Sequence, residues 1–278
     1  KLCGEYREYH KGGALKNVCY YHFDESLFTY SFLHGPCTHY STDHQVLSSS
    51  WYCLGKLQGK VEAFYLSGRR YSIKRYYDGA MHGKQEYFFE DGKTKTEQFY
   101  KGGSLNGLCT LYFSNGQRYR RIPYSKGKKD GAAEEWNSKG VRIAERFFEK
   151  NILKEERRWN HRRVLLAEKI YLGPSEKLNF RNWGKDGAII EEGKYIGERY
   201  QYKEWNKQCE LVKEYYGYWD GHKVAIEKFS KGVITQEDAS AITEAAAHDL
   251  ADRQEKFDKK KTTLDKKGDL KKEEDRNQ

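Results

Sequence analysis

His34, Cys37, His39, Asp43 and His44, with Cys53 nearby, gather imidazole, thiol and carboxylate groups in one short stretch. Such groups bind zinc, and Cys37 and His39 would share a face if they alternate along one strand. No paired Cys-x-x-Cys or His-x-x-x-His spacing supports a closed site. The expectation is a degenerate structural segment with no metal. The six cysteines (Cys3, Cys19, Cys37, Cys53, Cys109, Cys209) lack the spacing of a disulfide framework, which points to free thiols in a reducing compartment. Acidic pairs such as Glu134-Glu135 and Glu155-Glu156 recur at exposed-looking positions. Nothing resembles a nucleophile elbow, a phosphate loop or a metalloprotease helix. The expectation is therefore no enzyme and no cofactor.

The elements that carry these groups become legible when the chain is cut at glycines. Gly35, Gly59, Gly83, Gly107 and Gly131 stand 24 residues apart. Nine residues after each comes a turn position: His44, Gly68, Gly92, Gly116 and Gly140. Twenty residues after each comes another: Gly55, Gly79, Gly103, Gly127 and Asn151. Two aromatic columns keep the same phase, Tyr40, Phe64, Phe88, Tyr112, Trp136 and Tyr52, Tyr76, Tyr100, Tyr124, Phe148. Trp159, Trp183 and Trp205 continue the first column; Tyr171, Tyr195 and Tyr216 continue the second. Upstream, Gly4, Tyr9, Gly13 and Tyr21 form a unit followed by about seven extra residues. Nine units span residues 1–225, starting near 4, 35, 59, 83, 107, 131, 154, 178 and 200.

One unit reads as a β-hairpin. β-type runs flank Asp91-Gly92, the strongest short hairpin signal because both turn residues need positive φ. A two-residue turn there pairs Gly59 with Tyr76, Gly83 with Tyr100 and Gly107 with Tyr124, each ring expected to cover its glycine. The fold class expected is an all-β repeat: an elongated, single-layer antiparallel hairpin meander with a C-terminal α-helix. At two strands per unit and about 4.8 Å between strands, nine units would reach on the order of 85 Å.

Tyr100-Lys-Gly-Gly103-Ser-Leu-Asn-Gly107 and Tyr76-Tyr-Asp-Gly79-Ala-Met-His-Gly83 follow Tyr-x-x-Gly-x-x-x-Gly, which resembles the MORN repeat. The longer unit is similar to the MORN-repeat variant of antitoxin-like bacterial proteins and of giant DNA viruses. The resemblance covers roughly four fifths of the chain and is strongest over residues 33–151; beyond, Arg163 and Cys209 replace turn glycines. It implies a non-enzymatic scaffold for protein contacts, near membranes in some members, with capsid or assembly proteins as partners where the setting is a virion. An antitoxin-like inhibitor is a further reading.

Composition agrees with an open sheet: 37% hydrophobic, 33% charged and 15% aromatic, with 23 tyrosines that suit half-buried pleated surfaces. From Gly232 on, glycine and aromatics almost vanish. Thr235-Gln-Glu-Asp238 resembles a helix capping box, and Ala239, Ile242, Ala246, Leu250 and Phe257 make an apolar stripe at helical spacing. A helix over 226–260, capping the array or binding a partner, and a charged, disordered tail over 261–278 are expected. No apolar stretch reaches membrane-span length and no signal segment is seen, so a cytoplasmic or virion location is expected. Formal charge is +10, and residues 231–278 hold 11 basic and 12 acidic residues, so the repeats carry about +11. Anionic lipid or polyanion binding is the alternative function this charge suggests. Nucleic acid is the weaker case, because basicity without a recognised motif is poor evidence. The surface candidates for protein contact are Trp136, Trp159, Trp183, Trp205, Arg118, Arg120 and Arg121.

Overall fold

The computed structural model describes residues 2–23, 25–26, 30–173, 177–219, 224–231 and 241–243. Among the described residues there are 23 strands, in two compact units divided between Arg163 and Val164. Within each unit the strand pairings are antiparallel and join neighbours in sequence, giving an open meander with the predicted all-β character.

The predicted cross-strand partners are present. Gly35 faces Tyr52, Gly59 faces Tyr76, Gly83 faces Tyr100, Gly107 faces Tyr124 and Gly131 faces Phe148. The mechanism differs from the expected one. At Asp91-Gly92 only the glycine is left-handed, with φ 88°. The amide of Gly92 donates to Phe89 O and that of Phe89 to Lys93 O, so three residues form the loop, not two. A bulge between Thr94 and Thr96 then restores the register. The two-residue turns with positive φ at both positions lie instead in the second glycine column: Leu54-Gly55, Asp78-Gly79, Gly102-Gly103, Lys126-Gly127 and Lys150-Asn151. A Cβ built on Gly59 or Gly83 meets nothing within 4 Å, so lack of room is not what calls for glycine there. What those positions require is φ of 74° and 75°.

Successive units are stitched at these tight turns. The amides of Gly55, Gly79, Gly103, Gly127 and Asn151 donate to carbonyls of Leu33, Leu57, Met81, Leu105 and Lys129, at 2.8–2.9 Å. A side chain one unit upstream accepts from the residue before: His34 Nδ1 from Leu54, Gln58 from Asp78, Asn106 from Lys126 and Asp130 from Lys150. His34 therefore serves a repeat position that glutamine, asparagine and aspartate fill elsewhere.

Cys37, Ser72, Gln85, Cys109, Ala133 and Ala144 are buried on one face of the first unit, and Ile73, next to Ser72 on its strand, is buried on the other. Gln85 is 0% exposed and exchanges hydrogen bonds with the backbone of Arg75, so the most buried polar side chain among the described residues is satisfied. The second unit runs from Leu165–Tyr171 to Val224–Lys231, with Tyr200 at its centre. Residues 226–231, expected in a helix, belong to this last strand. Ile242 makes an isolated parallel bridge to Ile226, with Thr243 N donating to Ile226 O. The β-edge of Ile226 offers unpaired backbone groups, and an extended pairing satisfies them where a helical turn does not. The rest of the expected helix, 232–240 and 244–260, and the tail 261–278 lie outside the described residues.

Candidate functional site: an arginine–aromatic groove

Trp136 and Trp159 end their strands beside an asparagine. Asn137 Oδ1 accepts from the amides of Lys139 and Val141, Asn160 Oδ1 accepts from that of Arg162, and Asn206 Oδ1 accepts from those of Gln208 and Glu210. Each asparagine thus opens its loop with a local side-chain turn, which explains why Trp-Asn recurs. The preceding ring is held at the hairpin tip.

Across each tip the last residue of one strand faces the first paired residue of the next: Tyr112 faces Arg118 and Trp136 faces Arg142. Each arginine then reaches the aromatic residue of the following unit. Arg118 Cζ lies 5.8 Å from the Trp136 ring centre, and Arg142 Cζ lies 4.8 Å from that of Trp159. The order along the sheet is Tyr112, Arg118, Trp136, Arg142, Trp159. Two adjoining depressions follow this ladder. One, of ≈ 330 Å³, lies between Tyr112, Arg118 and Trp136; the other, of ≈ 500 Å³, between Trp136, Arg142, Trp159 and Arg163. They share Trp136 and Gly140. Gly140 takes φ 78°, a left-handed backbone that favours glycine.

The ladder is not what holds the sheet together. Two exposed cation–π contacts contribute about 1–2 kcal/mol in all. The electrostatics leave cationic groups to spare. Arg142 is shared with Glu134 at 3.5 Å and Glu145 at 3.9 Å. Among the described residues no ion pair engages Arg118 or Arg163. Tyr112 donates to Glu97 at 2.8 Å; its burial, then that hydrogen bond, push the phenol pKa upward. The groove holds no nucleophile with a general base beside it. Its indole faces and guanidinium forks are of the kind that suit planar and anionic groups.

Of the predicted surface residues, Trp136, Trp159 and Arg118 are brought together. Arg120 and Arg121 are not part of the ladder. Arg120 pairs with Glu135 at 3.1 Å on the core face, and Arg121 pairs with Glu134 at 3.4 Å. The reason is the bulge between Leu111 and Tyr112, which sets Arg118 opposite Tyr112 and Arg120 opposite Leu111. Trp183 and Trp205 sit in the second unit and face Ile189 and Leu211, without an arginine across the tip. Arg142 and Arg163 were missed by sequence reasoning. The signal was available for Arg142, since Arg70, Arg118 and Arg142 occupy one repeat position.

The predicted metal-type cluster is dispersed. His34 accepts from a backbone amide, His44 takes φ 61° at a loop position and Cys53 is exposed. Cys37 and His39 do share a face, with Cys37 Sγ 3.6 Å from His39 Nε2. The expectation of free cysteines is corrected at one pair: Cys19, from the neighbouring strand, is disulfide-bonded to Cys37. The two are direct cross-strand partners, which brings their sulfurs together without any framework spacing. Cys3, Cys53, Cys109 and Cys209 remain thiols.

No family model matches the chain, and no curated protein does. Among solved structures, the Photorhabdus luminescens Tc holotoxin pore aligns with 84% of this chain at 9% identity and a TM-score of 0.17. The chain spans only 14% of that one, and the likeness carries no argument. Among the described residues no helix is long and apolar enough to cross a membrane.

Proposed function

We propose that this chain is a non-catalytic interaction scaffold of the MORN-variant kind, and that its working surface is the groove of Tyr112, Arg118, Trp136, Arg142, Trp159 and Arg163. The observation that carries the reading is the regular alternation of guanidinium and aromatic ring along an open groove. An extended protein segment bearing carboxylates and apolar side chains complements it, since carboxylates reach Arg118 and Arg163 while side chains lie against the indoles. Tryptophan and arginine are also the residues enriched where binding energy concentrates in protein interfaces.

Cross-linking mass spectrometry on the full chain in its native lysate tests this. Links from Lys139, in the loop beside the groove, to an acidic segment of one recurring protein are expected, and Trp136→Ala with Trp159→Ala should abolish them. Links that persist in the double variant would overturn the groove as the working surface. Binding confined to acidic lipid vesicles would move the function to the anionic-surface alternative.

A further inference from the structure

On the core face of the first hairpins, Cys19 is 5% exposed and Cys37 is 2% exposed. One ligand atom from each, and one from His39, lie within 4.8 Å of one another. Cys37 and His39 are two residues apart on one strand, so their side chains leave it on the same side; Cys19 faces Cys37 from the strand alongside. Two thiols and an imidazole converge at one point of a rigid sheet. The site stands apart from the groove, and neither depends on the other.

We propose that, in its reduced form, this triad binds a thiophilic d¹⁰ cation, zinc or copper(I), and that the disulfide is the metal-free state of the same site. The donor set selects this class, because paired thiolates with an imidazole suit zinc and copper(I) and disfavour magnesium and calcium. Copper(I) is satisfied by the three ligands; zinc adds a solvent molecule in the fourth position. Metal–sulfur bonds of about 2.3 Å hold the sulfurs about 3.8 Å apart, a separation the two side chains reach by rotating about χ1. The chemistry balances with a small-molecule thiol as reductant. Two equivalents give up two electrons and two protons to the Cys19–Cys37 bond, leaving two cysteine thiols and the oxidised reductant disulfide. The cation then displaces the two thiol protons and takes the His39 lone pair. Oxidation and metal binding thus compete for the same electron pairs, and the bound cation protects the thiols.

The pairing belongs to the repeat itself. Gln98 Nε2 lies 3.7 Å from Cys109 Sγ at a sequence separation of 11, in the equivalent place three units further on. Cys19 and Cys37 are separated by 18, the same step plus the seven residues inserted after the first unit. Only at this inter-strand step do both positions hold cysteine.

Anaerobic titration of the full chain, reduced with a phosphine and then freed of it, with zinc or copper(I) against a chromophoric competitor, tests the proposal. One equivalent is expected to bind, with cobalt(II) reporting thiolate ligation by its charge-transfer absorption. Cys19→Ser and Cys37→Ser should each weaken binding by more than the roughly 10–100-fold that loss of a supporting hydrogen bond produces. His39→Asn should weaken it at least about tenfold, while Cys53→Ser and Cys109→Ser leave it unchanged. The unmutated chain oxidised to the disulfide should bind none, a measurement that stands even if a cysteine variant fails to fold. The two titrations decide between zinc and copper(I). Equal uptake by the oxidised chain, uptake that survives Cys19→Ser with Cys37→Ser, or no uptake by the reduced chain would overturn the proposal.

Discussion

Glu135 sits in a chain of charges across four strands: Arg120 at 3.1 Å, Arg146 at 3.0 Å, and beyond Arg146 the carboxylate of Glu156 at 2.8 Å. Burial pushes the Glu135 carboxyl upward, but the hydrogen bonds from Arg146 and Arg120 outweigh it and hold the group below the usual carboxylate range. A carboxyl whose folded pKa is depressed contributes stability that is complete above its unfolded value, about pH 4.3, and is lost as pH falls through the folded value. The thermal unfolding midpoint of the native chain should therefore fall as pH drops from 5 toward 3. Glu135→Gln should lower the midpoint near neutral pH and flatten this part of the profile, so that the two curves converge in acid. Parallel profiles would show that Glu135 contributes nothing through its charge. The same network explains why Arg120 is a poor candidate for partner contact and Arg118 a good one. In the sequence the two look equivalent, two residues apart in an Arg-Tyr-Arg-Arg run, and only the bulge after Leu111 separates their duties.

At the level of the hairpin, Leu54 holds φ 49° as the first residue of a two-residue turn whose second residue is Gly55. Its side chain is 45% exposed, so it gains little packing for the left-handed backbone it adopts. A branched aliphatic residue loses about 1–2 kcal/mol there, and asparagine tolerates the conformation. Leu54→Asn should stabilise the chain by about 1 kcal/mol, read as a higher urea midpoint at unchanged slope. An unchanged or lower midpoint would mean that Leu54 makes a contact worth more than its backbone strain. The hairpins, their phase and the glycine–aromatic partners were all legible, because glycine columns at a fixed period leave few alternatives. The turn types were not. Asp91-Gly92 and Lys126-Gly127 both end in glycine, and the number of left-handed residues depends on the hydrogen bond across the loop. A three-residue loop followed by a bulge returns the register that a two-residue turn would give, so correct pairing hid an incorrect mechanism. The Cys19–Cys37 pair was obscured by the insertion between its units, and the Arg142 contact by its lying between units rather than within one.

At the scale of the whole chain, the described strand pairings within each compact unit join neighbours along the chain. Stability in such an array is close to a sum of hairpin terms and nearest-neighbour terms, so damage spreads through adjacent pairings and fades. Ala144 is 3% exposed and pairs with Glu135 on one side and Arg158 on the other. A carboxylate placed there is buried and carries a desolvation penalty that the small alanine site cannot offset. In Ala144→Asp, amide hydrogen exchange should accelerate most in Gly131–Trp136 and Ile152–Trp159, less in Gly107–Tyr112, and little in Gly59–Phe64. Exchange in Leu178–Trp183 and Arg199–Trp205 should be unchanged, because those strands belong to the other compact unit. Uniform acceleration over all these strands would mean that the chain unfolds as one cooperative body. The graded outcome has a functional consequence as well. It would let a partner seated between Tyr112 and Trp159 order the hairpins it touches while leaving the cysteine pair of the first hairpins to its own equilibrium.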